Sequence, residues 1–143
     1  MVTWVLSGEI EGDIQLEDAL TMALLHDVAE CVLGDLPQPA NRYLPLYTKQ
    51  MAESQIQADL LSYLPQANVA RALLDQYETG ETATALLVRD ADRLDMLMQA
   101  LTYEESGHRG LNEFWHTAAG HPWAFTASAR LYQTLLKRRE ELR

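Results

Sequence analysis

The chain has 143 residues, 48% hydrophobic and 22% charged, which fits one globular domain with its own core and excludes a disordered tail. A formal net charge of −10 argues against a nucleic-acid polymer as partner, because binders of polyanions carry basic patches. Cys31 is the only cysteine, no apolar run approaches the roughly 18 residues of a spanning helix, and Met1 to Leu6 lacks a basic leader, so a cytoplasmic protein without membrane association is expected.

Val2 to Ile10 reads as the last turns of a helix. Gly12-Asp13 makes a turn with Asp13 as the expected N-cap, and a central helix is predicted from Ile14 to Leu33. From Ala19 to Leu33 nearly every residue is apolar, the pattern of a buried helix, with Cys31 as a small core residue. His26, Asp27 and Glu30 interrupt that run, and charges buried there need a partner or a metal. On a continuous helix His26 and Glu30 lie one turn apart on one face. Gly34 ends the helix, and Asp35-Leu36-Pro37-Gln38-Pro39 cannot extend it, so a loop follows just beyond His26 and Asp27. Glu9, Glu11, Asp13, Glu17, Asp18, Asp27, Glu30 and Asp35 all precede Arg42, the first Lys or Arg; such a segment can use a cation.

A third helix follows Pro45, with Ala52, Ile56, Leu60 and Tyr63 on one face before Leu64-Pro65 breaks it. A fourth carries Val69, Leu73 and Tyr77. After Thr79-Gly80-Glu81 comes a long fifth helix with Leu87, Ala91, Leu94, Met98 and Leu101 as its core stripe. Gly107 and Gly110 end it, Leu111 to Thr117 gives a short helical turn, and Pro122 starts a last helix with Phe125, Ala129, Tyr132 and Leu136 inward. Lys137 to Arg143 reads as a solvated helix end. No alternating strand pattern and no repeat occurs, so the fold class is all-α, a compact bundle of about six to seven helices.

On the fifth helix Val88, Asp92, Asp95 and Gln99 form the face beside the core stripe. Asp92 and Asp95 are either solvated, or paired with Arg89 and Arg93, or functional. Joined to His26-Asp27, a distant helical Asp completes a nitrogen and oxygen ligand set suited to Mn²⁺, Co²⁺, Fe²⁺ or Mg²⁺. Trp4, Trp115 and Trp123 read as core or interface anchors, and Met96 and Met98 as core filler.

Leu25-His26-Asp27-Val28-Ala29-Glu30 followed by Gly34-Asp35-Leu36-Pro37 resembles the central signature of the HD-domain metal-dependent phosphohydrolases, in particular their 5′-deoxynucleotidase group. The segments 88–97 (Val-Arg-Asp-Ala-Asp-Arg-Leu-Asp-Met-Leu), 99–104, 111–115 and 117–120 are similar to later parts of that group. The resemblance implies a single HD domain over residues 1–143, a divalent metal ion held by His26, Asp27 and Asp92, and hydrolysis of (deoxy)nucleoside 5′-monophosphates to nucleoside and phosphate. Glu30 would position or deprotonate the attacking water, and Asp35 would deliver a proton to the departing ribose oxygen. The first His of the H…HD…D pattern has no counterpart and would fall upstream of Met1, so the N-terminal part of the first helix is expected to be missing. A homodimer is expected as well, because such shortening leaves apolar surface uncovered. Two other readings share these residues: a non-catalytic module that binds a nucleotide or partner through a degenerate metal site, and an HD phosphohydrolase of another phosphate ester.

Overall fold

The structure, a computed structural model, describes residues 1–36 and 43–142. These residues form eight helical segments and no strand: α1 (Val2–Ser7), α2 (Leu16–Leu25), α3 (Glu30–Leu33), α4 (Leu46–Leu61), α5 (Ala67–Thr79), α6 (Ala83–Glu105), α7 (Asn112–Ala119) and α8 (Thr126–Glu140). The all-α expectation holds. The loop expected at Pro37-Gln38-Pro39 lies outside the described residues.

The hub of the bundle is α6. Thr82 caps it by accepting a hydrogen bond from the Ala85 amide at 3.1 Å, and Thr84 Oγ1 accepts from the Gln15 amide at 3.1 Å, tying the start of α2 to the start of α6. Leu87, Val88, Ala91, Leu94, Leu97, Ala100 and Leu101 are buried along it, and α1, α2, α5, α7 and α8 all pack on it. A smaller core of Leu61, Ala70 and Leu74, with Leu25 against it, joins α4, α5 and the end of α2.

The helix predicted from Ile14 to Leu33 is neither continuous nor central. It starts at Leu16 with Gln15 as N-cap, while Asp13, the expected cap, accepts from Gln15 Nε2 at 2.6 Å. Ala19 and Met22 turn inward, whereas Leu16, Leu20 and Leu24, spaced four apart, face outward, with Leu24 81% exposed. Between Val28 and Cys31 i→i−3 bonds replace the α-helical ones: Val28 to Leu25, Glu30 to Asp27 and Cys31 to Val28, at 2.9, 2.9 and 3.4 Å. This tightening separates α2 from α3, a segment of only four residues, and leaves Cys31 exposed instead of buried. Gly34 ends α3 at φ 71°, as its position predicted.

Several inward positions also differ. Tyr63, Val69 and Met98 are exposed, and Ala70, Leu73 and Leu74 form the buried stripe of α5. Trp4 is 61% exposed, whereas Trp115 is buried. The last helix begins at Thr126 instead of Pro122, with Phe125 as an N-cap that offers no side-chain acceptor. Asp90 on α6 takes that role: it is 1% exposed and accepts from the Ala124 amide at 3.1 Å, the Phe125 amide at 3.4 Å and His121 Nε2 at 3.0 Å. The C-terminal basic run is not merely solvated. Arg139 donates to both Glu104 oxygens at 2.8 and 2.7 Å and to Asn112 at 2.6 Å, and lies over the Trp115 ring, fastening α8 to α6 and α7.

Candidate metal centre

The break after α2 is what presents His26. Its Nδ1 lies 3.1 Å from the Ala23 carbonyl oxygen, a hydrogen bond that orients the ring and directs Nε2 away from its own helix. Nε2 stands 3.0 Å from Asp27 Oδ2 and 3.5 Å from Asp92 Oδ1, the latter brought from α6 by the packing of α2 on α6. One donor atom from each of the three residues lies within 4.8 Å of the others. Nε2 is buried and makes no hydrogen bond of acceptable geometry despite the two nearby carboxylates. An imidazole nitrogen and two carboxylate oxygens converging on one point fit a divalent cation, and the buried Nε2 is the atom such an ion would satisfy.

The electrostatics agree. Burial opposes a charged imidazole, yet Asp27 and Asp92 together outweigh it and push His26 up to about 10. A proton and a cation therefore compete for the same nitrogen. Tyr77 packs its ring 5.1 Å from His26, and burial, followed by Asp92 and Asp27, pushes its phenol well above the ordinary range. Arg89 donates to the carbonyls of Tyr77 and Glu78 at 2.8 and 2.6 Å, closing the C-terminal end of α5 beside the centre.

Two clefts meet at Asp27 and Glu30. The wider, about 460 Å³, runs between the turn at residues 26–29, the HD turn, and α7 and includes Asp35, Asp92, Arg93, Met96, Glu113, Phe114 and Thr117. The narrower, about 180 Å³, includes His26, Lys49, Glu53 and Tyr77. Glu30 thus faces both, and burial, reinforced by Asp27 and Asp35, raises its carboxyl above the usual range while Lys49 pulls it down. All five residues singled out in the sequence, His26, Asp27, Glu30, Asp35 and Asp92, are therefore gathered at one place.

Neither Arg89 nor Arg93 pairs with Asp92 or Asp95 among the described residues, so Asp92 is not a member of a surface ion pair there. His121 is held by Asp90, and His108 and His116 are exposed. Lys49, Tyr77, Glu113 and Phe114 were not singled out for this site in the sequence. Tyr77 did appear as a core-stripe residue, and its one-turn spacing from Leu73 could equally have placed it against the HD turn.

A family model described as HD domain matches residues 1–124. Human 5′-deoxynucleotidase HDDC2 is 32% identical over 121 residues, covering 81% of this chain and 58% of that protein. The 5′-deoxynucleotidase of Erwinia tasmaniensis is 29% identical over 141 residues, covering 96% of this chain and 64% of that protein. A solved structure of a conserved hypothetical protein from Pyrococcus furiosus aligns with a TM-score of 0.73 at 33% identity, over 97% of this chain and 77% of that one. The chain thus spans 58% and 64% of the two curated relatives. The match over residues 1–124 takes in α1 to α7 and every side chain that lines the two clefts, and on that ground the chain belongs to the HD-domain family.

Proposed function

We propose that this chain is a metal-dependent phosphohydrolase that hydrolyses (deoxy)nucleoside 5′-monophosphates to nucleoside and phosphate. The observation that carries the reading is the buried Nε2 of His26, unsatisfied by hydrogen bonding and facing Asp27 and Asp92. In this reading those three residues hold a divalent cation, Mn²⁺, Co²⁺, Fe²⁺ or Mg²⁺. When bound, the ion offsets charge on the phosphoryl oxygens and makes water more acidic. Glu30 orients the attacking water and takes its proton, a role that suits a carboxyl raised by burial. Water oxygen bonds to phosphorus, the bond from phosphorus to the ribose 5′ oxygen breaks, and Asp35 gives that oxygen its proton. Asp35 is an exposed residue of the wider cleft.

A fourth ligand, in this reading, would be supplied beside α1. Met1, Val2 and Thr3 line a small cleft together with His26, Asp92 and Asp95, so the beginning of α1 is adjacent to the centre. The assay is phosphate release from dAMP, dGMP, dCMP, dTMP and dUMP with Mn²⁺ or Co²⁺, for this chain and for a form extended upstream. Release that requires the metal, and is stronger in the extended form, is expected. An extended form inert towards all five nucleotides while holding metal would favour the non-catalytic module.

The same reading includes a homodimer in the cytoplasm. Trp4, Val5, Ile10, Ile14 and Leu16 border an apolar cleft of about 520 Å³ that shares no residue with the metal centre, and Leu20 and Leu24 extend the exposed apolar face. Such a face on α1 and α2 suits a second copy of the chain. Cys31, exposed and the only cysteine, is compatible with a reducing compartment. Sedimentation velocity at about 10 μM should give a dimer that Leu24→Glu converts to monomer; a wild-type monomer at that concentration contradicts the assignment.

A further inference from the structure

Among the described residues Arg93 is the one cation lining the wider cleft, in which five carboxylates, those of Asp27, Glu30, Asp35, Asp92 and Glu113, are also found. An arginine among so many acids would ordinarily be held by one of them. Among the described residues it forms no ion pair, and its Nε is buried without a hydrogen-bond partner. A buried guanidinium N–H left unsatisfied is costly, and the cost is recovered when a ligand supplies the acceptor. Arg93 directly follows Asp92, while Met96, one turn on, and Phe114 of α7 give the same cleft apolar wall.

We propose that Arg93 binds the phosphoryl group of the substrate, with its guanidinium donating to a phosphoryl oxygen beside the metal centre. The inference deepens the phosphohydrolase reading and rests on it for the nature of the ligand. A phosphate monoester brings negative charge into a cleft already rich in carboxylates. A cation at His26, Asp27 and Asp92 offsets that charge at one end, and Arg93 offsets it at the side facing α7. Arginine suits the task because its planar fork offers two parallel N–H donors to a tetrahedral oxyanion, whereas lysine offers only a point charge. The apolar side chains of Met96 and Phe114 leave the neighbouring wall free to take the less polar part of the same substrate.

The test uses wild type, Arg93→Met and Arg93→Lys, each loaded with Mn²⁺ and checked for metal content and melting temperature. Inorganic phosphate is titrated calorimetrically, and hydrolysis of a deoxynucleoside monophosphate is followed at steady state. Arg93→Met should keep its metal, weaken phosphate binding roughly 10- to 100-fold and raise KM more than it lowers kcat, as loss of a charge-assisted hydrogen bond would. Arg93→Lys should recover part of the affinity. Phosphate affinity within twofold of wild type in both variants, or no phosphate binding by wild type, overturns the inference. Arg93-dependent phosphate binding in a wild type that hydrolyses no nucleotide keeps the anion site and removes the nucleotidase reading. Wild-type hydrolysis with KM unchanged in Arg93→Met does the reverse.

Discussion

Glu30→Gln should lower kcat for phosphate release by about 10³-fold while leaving metal content at the wild-type level. The amide keeps the size of the side chain and its place between the two clefts, but it cannot accept a proton from water. Glu30 is not among the residues whose donor atoms converge at His26, so the variant isolates proton transfer from ion binding. The loss should fall on kcat more than on KM, because the interaction removed strengthens only as water is deprotonated. Since burial and the neighbouring Asp27 and Asp35 raise the Glu30 carboxyl, wild-type kcat should fall as acid protonates it, whereas the residual rate of Glu30→Gln should lack that limb. The measurement is steady-state phosphate release across pH with metal analysis on the same samples. A loss below tenfold would remove Glu30 from the proton-transfer role, and a loss of metal would make it a ligand or a support for one.

Much of this site was legible in the sequence because charge stands out in apolar surroundings. His26, Asp27 and Glu30 interrupt a hydrophobic run, and Asp92 stands at the edge of a clear core stripe; the packing of α2 on α6 joins them. The part that misled was the apolar run itself. A helix hydrophobic on every side can be buried, or can bury one side and present the other to a partner, and composition does not separate these cases. Ala19 and Met22 face the core while Leu16, Leu20 and Leu24 face outward, so the central place belongs to α6. The turn after Leu25 was invisible because no Pro or Gly marks it; i→i−3 bonding within an otherwise helical sequence is decided by tertiary packing.

Asp90 illustrates a signal that was present and unused. The stretch before Thr126 has no Ser, Thr, Asp or Asn at the position that must cap α8, and a helix start without a local acceptor demands one from elsewhere. Asp90, four residues before Leu94 on the core stripe, was the available carboxylate. Arg93 was one possible partner for its neighbouring aspartates, a pairing that helical spacing allows and that the three-dimensional arrangement does not make among the described residues. Its setting depends on α7, which crosses from a segment twenty residues further along the chain, and no local pattern reports such a crossing.

The central claim, that His26, Asp27 and Asp92 hold a divalent cation, is tested most directly by titrating Mn²⁺ into metal-free wild type, Asp92→Ala and, as control, Asp95→Ala. Asp95 lies one turn further along α6 and is not one of the three converging residues. Removing a direct ligand should cost more than the 10- to 100-fold typical of groups one step behind a metal, so Asp92→Ala should bind more than about 100-fold more weakly. Asp95→Ala should stay close to wild type. A cation held only by the folded state at a hundredfold excess over its Kd adds about 2.7 kcal/mol of stability. The melting temperature of wild type and Asp95→Ala should therefore rise with Mn²⁺ and fall again with chelator, and that of Asp92→Ala should not move. One ion per chain in wild type, lost in Asp92→Ala and retained in Asp95→Ala, is the predicted result; equal Mn²⁺ affinity in wild type and Asp92→Ala would contradict the account.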